Sequence, residues 1–164
     1  MDLMQEFYHA RPQKVKESVL FQYAHGNNHH LAVVIFFCTF FDLLLEHFLR
    51  QKMIAGKLPF EIQDRLLEDN RYTPQRIDRL FPTLTGTKWP AAVSLMRSRV
   101  ELDYEGSVAF YNQVREIRNR LIHEGAQWIM PAEMPQQCIE NLHPLVSLFV
   151  ALHNEYSLTR PPKS

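Results

Sequence analysis

An arginine and a histidine with four residues between them stand at the ends of the segment Arg118-Asn119-Arg120-Leu121-Ile122-His123. Imidazole can take and return a proton near neutral pH, and guanidinium presents a rigid fork of donors matched to phosphate oxygens. Together they suit acid–base chemistry at a phosphodiester. The surrounding stretch 107–125, SVAFYNQVREIRNRLIHEG, has the periodicity of a helix. At about 100° per residue, Phe110, Val114, Ile117 and Leu121 fall within about 60° of one another and predict a core stripe, with Tyr111 and Ile122 about 100° to one side of its centre. Asn119 and His123 share a face directed away from that stripe. Arg118 lies about 140° around the helix from His123 and about 7.5 Å along the axis, a gap that a long arm can narrow toward a ligand beside the imidazole. Gly125 reads as the helix stop, which puts His123 in the last turn, where the helix dipole favours positive charge. The apolar arc is wider than one buried face needs, which points to a second packed surface such as a dimer partner.

Other residues capable of chemistry are fewer. Asp42 and Glu46 share one face of an otherwise apolar segment and read either as its exposed edge or as acids with a buried partner. His25, His29 and His30 surround Gly26-Asn27-Asn28, a sequence that breaks a helix. A solvated loop accounts for them, because a metal site needs more ligands of defined geometry. Arg71, Arg76, Arg79, Arg97 and Arg99, with Tyr72 and Phe81, read as an ordinary surface and core, or as an extended RNA-binding surface with stacking aromatics.

These residues need helices to hold them. Glycine is scarce, five in 164 residues, and no alternating strand pattern or internal repeat is present, so the chain reads as all-α. Helices are predicted over about 3–24, broken near Pro12, and over 28–55 with Gly56 as the stop. Others are expected at 59–68, from Thr73-Pro74 to near Phe81-Pro82, from Trp89-Pro90 to about Asp103, over 107–124, and over 132–158 with a kink at Pro144. Residues 1–158 read as a single domain and 159–164 as a disordered tail. The run Leu31 to Leu49, LAVVIFFCTFFDLLLEHFL, approaches the length of a membrane span. Asp42, Glu46 and His47 inside it favour a central helix surrounded by protein on nearly all sides.

Formal net charge is zero, which argues against coating nucleic acid by bulk attraction. Residues 61–125 nevertheless hold nine of the twelve arginines and a single lysine, Lys88. That bias fits a phosphate-handling surface, or a solvated face of ion pairs with the ten acids in the same stretch. Cys38 and Cys138 form no CxxC and no disulfide framework. Without a basic region followed by an apolar stretch at the N-terminus, a cytoplasmic location is expected.

The string VREIRNRLIHEG resembles the signature of HEPN domains (higher eukaryotes and prokaryotes nucleotide-binding), whose mark is R-x4–6-H, often with Asn after the Arg. The apolar segment with FFDLLLEHFL is similar to the HEPN helix that packs on the motif helix and contributes an acidic residue. The resemblance covers most of residues 17–155, its specific part being the six-residue motif. It implies an HEPN-like helical bundle with a long central apolar helix, and a metal-independent endoribonuclease, usually a homodimer with two motifs facing one cleft. By that resemblance His123 would activate the ribose 2′-hydroxyl or protonate the leaving 5′-oxygen, Arg118 would bind the scissile phosphate, and Asn119 would orient one of these groups. Glu46, with Asp42 on the same face, would support the site, Glu46 by pairing with Arg118. The substrate is then RNA, and neither metal nor cofactor is called for. A role in stress response, a toxin system or phage defence follows by analogy. Glu124-Gly125 departs from the x-Tyr that follows the histidine in toxins modified by nucleotidyltransferase antitoxins. The rival readings are a catalytically silent HEPN module binding a nucleotide or a partner such as a nucleotidyltransferase or antitoxin, and an unrelated helical interaction protein.

Overall fold

The computed structural model describes residues 28–97, 102–124 and 130–156, and every regular element among them is helical. In chain order these are α1 (Asn28–Ala55), α2 (Phe60–Asp69), α3 (Thr73–Gln75, Arg76–Leu80 and Phe81–Thr85), α4 (Trp89–Arg97), α5 (Tyr104–Glu124) and α6 (Met134–Tyr156). The expected helix at 3–24, the tail at 159–164, His25 and Gly125 lie outside the described residues.

Along α1, Val34, Cys38, Phe41, Leu45, Leu49 and Met53 are completely buried at steps of three and four, the spacing of one helix face. Leu43, His47 and Ile54 are exposed, Leu43 to 60%, so this helix is buried on one side instead of being enclosed. Its stretch His30–Ala55 is long and apolar enough to cross a membrane by length and composition, and less than half of its most apolar window is buried inside the chain. The helix ends at Ala55 with Gly56 directly after it, as expected. Gly56 N–H still bonds the Lys52 carbonyl at 3.0 Å, and Lys57 takes the left-handed conformation at φ 58° that glycine adopts at less cost.

Two helices depart from their expected bounds for identifiable reasons. Proline at position 82 was expected to end α3, since its ring clashes with the preceding turn. Instead residues Arg76–Leu80 widen into a π segment in which Phe81 N–H bonds the Arg76 carbonyl, and the helix passes through Pro82 to end at Gly86, φ 72°. Helix α5 begins three residues earlier than expected because Asp103 caps it, its Oδ1 accepting the Gly106 N–H at 2.9 Å. A side chain at position 106 would collide with that carboxylate, so glycine here serves the helix start and does not break the chain. Helix α6 runs unbroken through Pro144.

Contacts group the described residues into two compact units. The first comprises 28–39, 110–124 and 130–141. In it Leu31 and Ile35 of α1 pack with Leu121 of α5, flanked by Ile117 and Ile122, and the Phe37 ring meets Phe110 edge-on at 5.6 Å and Tyr111 at 6.5 Å. The second comprises 40–97, 102–109 and 142–156. An aromatic cluster forms its centre, where Phe81 touches Phe48, Trp89 and Tyr156, and Phe41 touches Trp89 and Phe149. Tyr104, fully buried, shares a 2.7 Å hydrogen bond with Ser147, and Lys52 donates to the Tyr156 carbonyl.

Both cysteines are buried, and neither forms a disulfide. Desolvation pushes the Cys138 thiol up from 9.0 to about 12, because burial penalises the thiolate. The raised value belongs to the folded state, so its contribution to stability is complete below pH 9.0 and is lost as pH rises from there toward about 12. Urea midpoints measured across that window should fall with pH in the wild type and fall less steeply in Cys138→Ala. Parallel profiles would contradict the assignment.

Candidate active site

The motif lies on the C-terminal half of α5, in the first unit. The structure rotates this helix relative to the expected stripe. Tyr104, Ser107, Tyr111, Val114 and Leu121 are buried, whereas Phe110 and Ile117 are only half-buried. The buried arc is centred about 60° from the expected one, toward Tyr111. Tyr111 is completely buried in its own chain, so the wide apolar arc offered as a dimer surface is in large part covered internally.

The positions 104, 107, 111, 114, 118 and 121 form a regular ladder of steps of three and four, and Arg118 is its one charged rung. The arginine is half-buried. Its Nε is sealed from solvent and has no hydrogen-bond partner, and the side chain makes no ion pair among the described residues. Leaving such a donor dry and unpaired is costly, and native proteins normally satisfy it with a protein group, a water or an ion. Asn119 and His123 stand on the exposed side of α5, as their spacing indicated. His123 is the basic residue of the last turn. Arg118 and His123 of one helix therefore diverge by about 140°, so a single α5 holds them on different sides.

One turn before Arg118, Arg115 repeats its condition. It is half-buried, its Nε is sealed and unpartnered, and it makes no ion pair among the described residues. Its position places it with Asn119 and His123 at i, i+4 and i+8, a line drifting about 40° per step. That spacing was readable in the sequence, but the missing counter-charge was not.

The acidic candidates sit in the second unit with other duties. Glu46 gives one oxygen to Arg50 at 3.1 Å and the other to Arg76 at 3.0 Å, so the partner expected in Arg118 is replaced by these two. Arg50 also reaches Asp64 at 2.8 Å, and the two carboxylates, Asp64 foremost, raise the affinity of its guanidinium for the proton against the opposing effect of burial. Asp42 accepts the Thr73 hydroxyl at 2.6 Å. Both acids thus fasten α1 to the start of α3 and to α2. Arg71 lies over the exposed Tyr72 ring at 4.8 Å. Among the described residues no three His, Cys, Asp or Glu side chains converge as metal ligands would.

Comparison with known protein families, with curated proteins and with solved structures finds no match.

Proposed function

We propose that this chain is a metal-independent endoribonuclease of the HEPN type, acting as a homodimer in the cytoplasm with a composite site made by two copies of the RNRLIH segment. The observation that carries the reading is Arg118, a guanidinium on an otherwise uncharged buried ladder that makes no ion pair among the described residues. A charge so placed is suited to a phosphate that arrives with the substrate. An exposed imidazole lies five residues further on, free to meet solvent or ligand.

The divergence of Arg118 and His123 on one helix is the reason for two copies: each imidazole then works beside the partner's guanidinium. One His123 takes the proton of the ribose 2′-hydroxyl as the 2′-oxygen attacks phosphorus. The partner's His123, protonated, gives a proton to the departing 5′-oxygen. Arg118 holds the non-bridging oxygens as charge develops on them, and Asn119 orients either group. The products are a 2′,3′-cyclic phosphate and a 5′-hydroxyl, and DNA, lacking the attacking group, is not cut. Asp42 and Glu46 act at a distance, by fixing α1. A stress, toxin or phage-defence role, with or without an antitoxin, is the setting such an activity fits.

The same 140° divergence also favours a second reading, a silent module that binds a nucleotide or protein partner through Arg118 without turnover. Labelled RNA incubated in EDTA, with the termini of any fragments identified, separates the two. Chelator-resistant cleavage leaving cyclic phosphate supports the enzyme. Intact RNA of every class offered, by a protein that still binds it, supports the module.

A further inference from the structure

The second arginine on α5 is not part of the R-x4–6-H pattern, and its physical state calls for an explanation of its own. Arg115 and Arg118 are one helical turn apart, about 60° around the axis and about 4.5 Å along it. Each carries a sealed Nε without a partner, and neither forms an ion pair among the described residues. Among the described residues the two other half-buried arginines are neutralised, Arg50 by Glu46 and Asp64 and Arg76 by Glu46, whereas Arg65 and Arg79, which also lack an ion pair, are exposed to water. The neighbouring acid, Glu116, is exposed and does not reach either guanidinium. Two half-buried guanidinium groups on adjacent turns, each with one sealed nitrogen and no ion pair among the described residues, repel each other, an arrangement that an anion relieves.

We propose that Arg115 is a substrate-binding residue that holds a phosphate flanking the scissile one, so that Arg115 and Arg118 engage successive phosphates of a single-stranded RNA. This rests on the ribonuclease reading above. Arg115 shares its line with Asn119 and His123, which directs the flanking nucleotide along the exposed side of α5 toward the imidazole. It contributes affinity and register, while Arg118 acts on the charge that forms at the reacting phosphorus. A contact of this type carries no information about base or sugar.

The test uses the full chain carrying His123→Ala, which prevents turnover, with and without Arg115→Gln or Arg115→Lys. Binding of a fluorescein-labelled single-stranded RNA and of the DNA of the same sequence is read by anisotropy over a salt series. Arg115→Gln should weaken both ligands on the order of tenfold. It should also reduce the slope of log affinity against log salt by about 0.7, the value of one phosphate contact on a single strand. Arg115→Lys should restore the slope and part of the affinity. In the chain with His123 intact, Arg115→Gln should raise KM and leave kcat nearly unchanged. Its melting temperature should not fall, because the substitution removes a charge that makes no ion pair and a sealed Nε that makes no hydrogen bond among the described residues.

An unchanged affinity and slope in a protein that binds RNA would overturn the role of Arg115 and leave the ribonuclease reading standing. Loss confined to RNA would also overturn it, since that places Arg115 at the ribose. If the His123→Ala chain binds neither ligand, the ribonuclease reading fails and this proposal fails with it.

Discussion

His123→Ala should reduce chelator-resistant RNA cleavage by about a thousandfold, within the range that general acid–base catalysis contributes, and leave thermal stability unchanged. The side chain is exposed and makes no hydrogen bond among the described residues, so its removal opens no cavity and orphans no donor. Substitutions at such positions usually fall within about 0.5 kcal/mol of neutral. The stability control gives the experiment its meaning, because a loss of cleavage that tracked a loss of fold would say nothing about chemistry. Mixing His123→Ala with an Arg118→Gln chain adds a direct check on the two-copy site. A heterodimer assembles one intact pair of groups in one arrangement and none in the other, so partial recovery on mixing is expected. Full activity of His123→Ala alone would remove the imidazole from the mechanism.

The second large effect concerns the fold. Phe81→Ala should cost about 3–5 kcal/mol, the range for emptying a large aromatic position. Phe81 is completely buried, stacks on Phe48 at 5.5 Å, and meets Trp89 at 5.1 Å and Tyr156 at 6.1 Å in edge-to-face contacts. Its three aromatic neighbours are held by separate elements, α1, α4 and α6, and cannot all move inward to fill the space. At about 2–4 °C per kcal/mol for a chain of this size, the melting temperature should drop by roughly 10 °C. Leu43→Ala is the comparison. Although the residue is equally apolar and sits on α1, 60% of it is exposed, and its loss should be felt only slightly. Equal losses in urea denaturation would contradict the burial pattern.

The span of α1 was legible down to its ends because apolar periodicity and a glycine stop agree there. Thr73-Pro74 marked the start of α3 through the fixed φ of proline, although Tyr72 takes the cap position and the Thr73 hydroxyl goes to Asp42 instead. The passage through Pro82 was not legible. It depends on a wider turn upstream, and no residue type announces a π register. The start of α5 was not legible either, since the role of Gly106 depends on Asp103, whose carboxylate needs the space that a side chain would fill.

The site was half legible. Residue types and spacing nominated Arg118, Asn119 and His123 as candidates, and placed Asn119 and His123 on the exposed side, where the structure has them. They did not show that Arg118 belongs to the buried ladder, because ranking positions by hydropathy favours Phe110 and Ile117 over Tyr111 and an arginine. Long-range pairing was also invisible. Glu46 binds Arg76, thirty residues on, and only the path of α1 to α3 brings them together.

Arg118 has a consequence for any attempt to evolve this protein. A ladder otherwise built of tyrosine, serine, valine and leucine would accommodate methionine or leucine at position 118 more comfortably than a cation. A library screened for heat resistance alone should therefore drift toward apolar residues there, while one screened for RNA cleavage should keep arginine. On the proposed ribonuclease reading, the position at which the two selections part company is where this fold gives up durability in exchange for reactivity.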